Sequence, residues 1–216
     1  MFQGIRLVIY DLDGVLIDSN KAILESFRRT MEEVGAPFKP DMILDRIGFS
    51  LYQIFLDILP EEYHSRLEEL RQTYIKHFQS LDISYIRLLP EVTETLAMLK
   101  MRGFMQALAT NKTVTEAERI LSELGVDSYF DLMAGFMTVD KPKPEPDMIL
   151  YTLDKLSIDP AEAVFVDDTN VGLTAGIRAG VQTIGITTGN NTYEQIKSVN
   201  PTTIIQRFSD IPKIIA

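Results

Sequence analysis

Apolar residues come first as one short unbroken run, then at helical spacing, and then in a regular alternation of the two patterns. "IRLVIY" (residues 5–10) is continuous and rich in β-branched side chains, which suits a buried strand. From Ser19 to about Gln79 the spacing is helical: "NKAILESFRRTMEEV" puts Ile23, Phe27, Met31 and Val34 on one face, and "PEEYHSRLEELRQTYIKHF" carries Pro60 at a helix start. "GAPFKP" and "IGFS" break this stretch into several helices. Beyond Pro90, "EVTETLAMLKMRG" reads as a helix, "FMQALAT" as a strand, "VTEAERILSELG" as a helix and "YFDLMAG" as a strand. "PDMILYTLDKL", "EAVFVDD", "VGLTAGIRAG" and "VQTIGIT" then continue as helix, strand, helix and strand. Alternating strands and helices predict an α/β protein with a doubly wound parallel sheet. Residues 1–17 and 82–216 form this core, and residues 18–81 form an all-helical domain inserted after the first strand.

Composition narrows the classes. The chain has 216 residues, 45% apolar and 24% charged, enough for one large domain or a domain with an insertion. With no cysteine, disulfides, thiolate zinc sites and a cysteine nucleophile are excluded. A formal charge of −10 without a basic stripe argues against nucleic acid or anionic membrane as partner. "MFQGIRLVIYD" lacks a secretory h-region, and no apolar run reaches transmembrane length, so a cytoplasmic protein is expected. Nothing in the sequence sets the oligomeric state.

In open α/β sheets ligands bind beyond the carboxyl ends of the strands. There the first strand delivers Asp11 and Asp13, the second Thr110 and Asn111, and "AVFV" delivers Asp167 and Asp168, while "DKPKPEPD" offers Lys141 and Lys143. Singly, each has an ordinary reading: Asp-Gly is turn chemistry, Thr-Asn caps helices, and paired acids solvate loops. Together, in this order and all at element junctions, they mark a site. Carboxylates gathered in one cleft repel by roughly 4 kcal/mol per pair at 4 Å and an effective dielectric of 20. A divalent cation removes that cost, and an all-oxygen donor set suits Mg²⁺.

The ordered set resembles the haloacid dehalogenase superfamily, specifically its phosphatases with a helical cap. "DLDGVLIDS" is similar to the family's D-x-D-G motif, "LATNKT" to its Ser/Thr motif, "KPEPD" to its lysine motif and "VFVDDTNVG" to its acidic motif. The resemblance implies a Rossmann-like core and Mg²⁺-dependent hydrolysis of a small phosphorylated metabolite through an aspartyl phosphate. It makes Asp11 the nucleophile and Asp13 the acid/base. Asp11, the Asp13 carbonyl and Asp168 become metal ligands, with Asp167 beside them. Thr110 and Lys143 support the phosphoryl group, and Gly14 and Asn111 help bind the substrate. Lys143 is preferred to Lys141 because its frame fits K-P-x-P-D. Two departures are Asp167, where relatives often carry Gly or Glu, and Gly172, where many carry Asp.

"TNK" resembles the phosphoglycolate phosphatase branch, which makes 2-phosphoglycolate the first substrate to test. Sugar-phosphate phosphatase, pyrophosphatase and phosphomutase activities are the alternatives. Arg46 in "RIGFS" either meets a substrate carboxylate or sits as a cation at a helix C-terminus. Asp18 and Ser19 are expected to cap the first inserted helix, and His64 and His77 to be solvated. A phospho-receiver domain is the rival of another class, disfavoured by the D-x-D pair and the insertion. An EF-hand loop from Asp11 fails because Val15 and Leu16 stand where a ligand and a Gly are needed. Phosphomutases of the family carry a histidine twelve residues after the nucleophile, a position held here by Ile23.

Overall fold

In the computed structural model, which describes residues 2–215, strand β1 (Leu7–Tyr10) is buried along its whole length. It lies at the centre of a six-stranded sheet. Parallel pairing places β4 (Met105–Thr113) on one side and β6 (Ala163–Asp167) on the other. Parallel pairing of β5 (Leu132–Phe136), β7 (Gln182–Ile186) and β8 (Thr203–Ile205) completes the order β5-β4-β1-β6-β7-β8.

Period-two alternation sends the side chains of β1 to both faces. Leu7 and Ile9 pack with Met148, Ile149 and Phe165, under α7 (Asp147–Leu156) and α8 (Asn170–Ala179). Val8 and Tyr10 join the opposite core with α5 (Val92–Met101), α6 (Val114–Glu123) and α10 (Ile211–Ile214). Helix α9 (Tyr193–Ser198) precedes β8. The doubly wound sheet is the one that the alternation of patterns predicts. β8, three residues long, is an additional strand that periodicity alone is too short to reveal.

Between β1 and β4 the chain makes α1 (Asn20–Val34), α2 (Pro40–Leu44), α3 (Leu51–Ile58) and α4 (Leu67–Gln79). Ile23, Phe27 and Met31 are buried on one face of α1, as their spacing requires, and Phe27 packs against Phe55 and Tyr74. The helix expected from Pro60 is divided: Glu61–Arg66 form a 3₁₀ segment and α4 proper begins at Leu67. That segment fully buries none of its residues and packs only Tyr63 on the core, too little apolar face to hold it in the α form.

Two very short strands, β2 (Ile17–Asp18) and β3 (Arg87–Leu88), bracket the helices as an antiparallel ribbon, with Arg87 paired to Asp18 at 2.8 Å. His64 and His77 are half-buried rather than solvated. The His64 ring lies 3.0 Å from the Leu59 carbonyl and His77 lies 2.8 Å from Glu33. Among the described residues no helix is long and apolar enough to cross a membrane.

Candidate active site

The register carries the chemistry to one edge. Tyr10 stands opposite Val166, so the next step of each strand puts Asp11 beside Asp167, with Asp168 following. Oxygens of Asp11, Asp167 and Asp168 all lie within 4.8 Å of one another, and all three residues are buried. Lys143, equally buried at the entry to α7, points its ammonium at Asp11 Oδ1 (2.8 Å) and Asp167 Oδ2 (2.9 Å). Lys141 is exposed. Burial opposes the Lys143 charge, but Asp11 and Asp167 outweigh it and hold its pKa above the ordinary lysine value. One ammonium does not balance three carboxylates. Burial, with repulsion from Asp167 and Asp13, pushes Asp11 up to about 7 against the pull of Lys143. Burial and its acidic neighbours likewise drive Asp168 well above the carboxylate range.

The three acids differ in how their oxygens are engaged. Asp167 is fully committed: Oδ1 accepts from the Thr169 amide (2.8 Å) and hydroxyl (2.7 Å), and Oδ2 from Lys143. Asp168 Oδ2 accepts from the Asn190 amide at 3.1 Å, while its Oδ1 has no hydrogen-bond partner. Asp11 Oδ1 has no hydrogen-bond partner either and keeps only the ion-pair contact with Lys143. Two glycines make room. Gly14 has φ +79°, and a Cβ there would fall 2.5 Å from Asp168 Oδ2; a Cβ on Gly172 would fall 1.7 Å from Asp167 Oδ2. The two departures from the family pattern therefore occupy the same space, the Asp167 carboxylate filling what a side chain at 172 would need.

Asp13 has its own supports. The Ser19 hydroxyl donates to Asp13 Oδ1, and the Lys112 ammonium lies 3.3 Å from Oδ2 and 3.9 Å from Glu116. Ser19 thus makes no side-chain cap for α1, contrary to expectation, because its hydroxyl is already given to Asp13; toward the helix Asp18 accepts a long bond from the Asn20 amide (3.4 Å), its other oxygen being taken by Arg87. Burial disfavours charge on Lys112, yet Asp13 and Glu116 more than compensate and raise its pKa. The sequence suggested a cap at Ser19 and assigned no role to Lys112. Lys112 could have been found as the last residue of "TNK", whereas Ser19 has no signal separating it from a cap.

Thr110 and Asn111 sit inside β4 rather than beyond its end, at a break in register between Ala109 and Thr113 that re-aims the side chains. Thr110 is buried and accepts from the Lys112 amide at 3.2 Å. Asn111 has both ends engaged: Oδ1 accepts from the Lys143 amide (3.0 Å), and Nδ2 donates to the Gly48 carbonyl (2.8 Å) and the Lys143 carbonyl (3.3 Å). Asp11, Asp13, Thr110, Asn111 and Lys112 line one cavity, of about 80 Å³, with residues of α1, α3 and α4 opposite. Arg46 is not among its lining residues; its guanidinium pairs with Asp57 at 2.8 Å.

Residues 8–210 match the family model of the haloacid dehalogenase-like hydrolases. The chain belongs to that family. A phosphoglycolate phosphatase of Aquifex aeolicus is 33% identical over 97% of this chain and 96% of its own. The pyrophosphatase PpaX of Bacillus velezensis is 28% identical over 97% and 95%. A solved haloacid dehalogenase-like protein of Bacteroides fragilis superposes with a TM-score of 0.90 at 27% identity, covering 96% of this chain and 99% of that one. As a haloacid dehalogenase-like hydrolase with such relatives, the protein is a phosphatase of the phosphoglycolate phosphatase-like branch.

Proposed function

We propose that this phosphatase hydrolyses small phosphate monoesters through an aspartyl phosphate on Asp11, with Mg²⁺ as its resident ion. The observation that carries the reading is a cluster of three buried carboxylates and one lysine in which Asp168 Oδ1 has no partner and Asp11 Oδ1 has only the ion pair with Lys143. Buried carboxylates stay charged only with compensating partners, and these two lack enough. Oxygen is the only donor type here, with no His or Cys, which fits a hard divalent cation. Asp11, Asp168 and the Asp13 backbone carbonyl would hold it. Asp167 would act on Lys143 instead, since each of its oxygens has a protein partner. When bound, the ion would offset the carboxylate repulsion and draw charge from the phosphoryl oxygens.

The residues then divide the work. An oxygen of Asp11 attacks phosphorus as the bond to the leaving oxygen breaks on the opposite side, and Asp13 gives that oxygen its proton. In the second half Asp13 takes a proton from water, whose oxygen attacks phosphorus, freeing Asp11 and inorganic phosphate. Ser19 and Lys112 hold Asp13 in line for both transfers. Lys143 keeps Asp11 ionised and oriented, and Thr110 offers its hydroxyl hydrogen to the phosphoryl group. The inserted helices, read as a cap domain over residues 18–81, would close over the cavity and exclude water. Ile23, where mutases carry histidine, lines the cavity and brings no titratable group to favour a sugar hydroxyl over water.

Phosphate release from a monoester panel, with and without Mg²⁺, tests this. Turnover should vanish with EDTA and in Asp11→Asn, fall by ~10² to 10⁴ in Asp13→Asn, and give no interconversion of hexose 1- and 6-phosphates. Undiminished activity after thorough chelation would sink the metal role. A stable phosphorylated chain without turnover would favour the receiver-like reading.

A further inference from the structure

The wall facing Asp11 and Asp13 has the wrong character for an acidic leaving group. It is built from Ile23, Phe27, Tyr52, Ile54, Ile75 and Phe136. Two cations share the lining, and both are committed. Arg71 makes a two-pronged bond to Glu68 (2.7 and 3.0 Å), with its guanidinium over the rings of Tyr52 and Phe136 at 5.8 and 5.9 Å. Lys112 serves Asp13 and Glu116. Arg46, the cation that sequence suggested for a substrate carboxylate, pairs with Asp57 and does not line the cavity.

Glu116 does line it. It is only 7% exposed, and its Oε1 has no hydrogen-bond partner. Beside Lys112 the cavity thus holds two carboxylates, Asp13 and Glu116, and its other cation, Arg71, is neutralised by Glu68. A third carboxylate placed there would be repelled or would force Glu116 to take up a proton, and burial has already raised the pKa of Glu116. An apolar body gains about fourfold in affinity for each methylene it buries against such a wall.

Resting on the phosphatase reading above, we propose that the leaving group of the physiological substrate is a small, uncharged, apolar alcohol. Glu116 acts as the specificity residue that turns away carboxylate-bearing alcohols such as glycolate.

The test compares kcat/KM for isobutyl phosphate, benzyl phosphate and 2-phosphoglycolate. All three are esters of primary alcohols, so differences report recognition more than leaving-group reactivity. 4-Nitrophenyl phosphate serves as an activated control for the chemistry itself. The better apolar ester should exceed 2-phosphoglycolate at least tenfold. Glu116→Gln should narrow that ratio severalfold by improving 2-phosphoglycolate, and so should Ile75→Arg, which supplies a free cation from a half-buried position. If Glu116→Gln does not fold, the wild-type ratio and Ile75→Arg decide. Equal or better turnover of 2-phosphoglycolate, alongside Asp11-dependent cleavage of 4-nitrophenyl phosphate, overturns the leaving-group assignment and leaves the phosphatase reading intact. No phosphate release from any of the four esters with any divalent ion removes the phosphatase reading, and the assignment with it.

Discussion

Lys143 carries the electrostatics of the site, and its two partners do different things. Asp167 is a structural acceptor, locked by Thr169; Asp11 Oδ1 is held by the Lys143 ion pair alone. Removing one carboxylate from the cluster therefore relieves repulsion in the metal-free protein. Asp168→Asn should raise the Tm without Mg²⁺ and abolish the rise that Mg²⁺ gives the native protein. That rise is about 2.7 kcal/mol at a hundred times Kd, or roughly 5–10 °C for a chain of this size. Thermal scans across a Mg²⁺ series decide it, and an unchanged Mg²⁺ response would remove Asp168 from the metal.

Glu116 gives a second residue-scale expectation. Its folded pKa lies above the ordinary 4.5 because of burial, so the unfolded chain releases the proton more readily. Its contribution to stability is therefore fully present below pH 4.5 and lost as pH rises through the folded value. Glu116→Gln should gain stability relative to the native protein at pH 8, and the gain should shrink on acidification. Urea titrations at the two pH values measure it; a pH-independent difference would contradict the sign.

Among the elements, β4 holds the most consequential deviation from a plain strand. Its register break lets Asn111 reach both the Lys143 segment and the Gly48 carbonyl of the inserted region. One side chain thus ties the Lys143 segment to the helices above it. Asn111→Ala should raise KM more than it lowers kcat, because the tie to Gly48 is lost while Asp11 and Asp13 stay in place. Equal losses in both would place Asn111 in the chemistry. This is also the scale at which sequence reading reached its limit. Continuous or periodic apolar runs such as "IRLVIY" and the face of α1 announce themselves, since burial alone specifies them. A register break, a two-residue strand or the donation of Ser19 to Asp13 depends on partners from distant parts of the chain, and no local pattern encodes it. Lys143, by contrast, was legible through the family resemblance, because its frame fits K-P-x-P-D better than that of Lys141.

For the whole molecule, the decisive feature is where the chain leaves the sheet and where it returns. Both crossings occur in the β2–β3 ribbon, with Ile17 opposite Leu88 and Asp18 opposite Arg87. The ends of everything between them are thus one strand spacing apart, about 5 Å. In topological terms residues 19–86 are an oversized hairpin loop, and the sheet order does not depend on what the loop contains. Replacing them with a two-residue Asn-Gly turn should leave a chain whose sheet still assembles, at a stability cost from the core packing that the loop supplies. Such a chain, lacking Ser19 and the apolar wall, should lose most of its rate and its discrimination among small esters. Its reacting edge would be open to phosphate groups carried on folded proteins. Circular dichroism and dephosphorylation of a phosphoprotein against benzyl phosphate would measure both effects, and failure of the excised chain to form any sheet would show that the loop is part of the core.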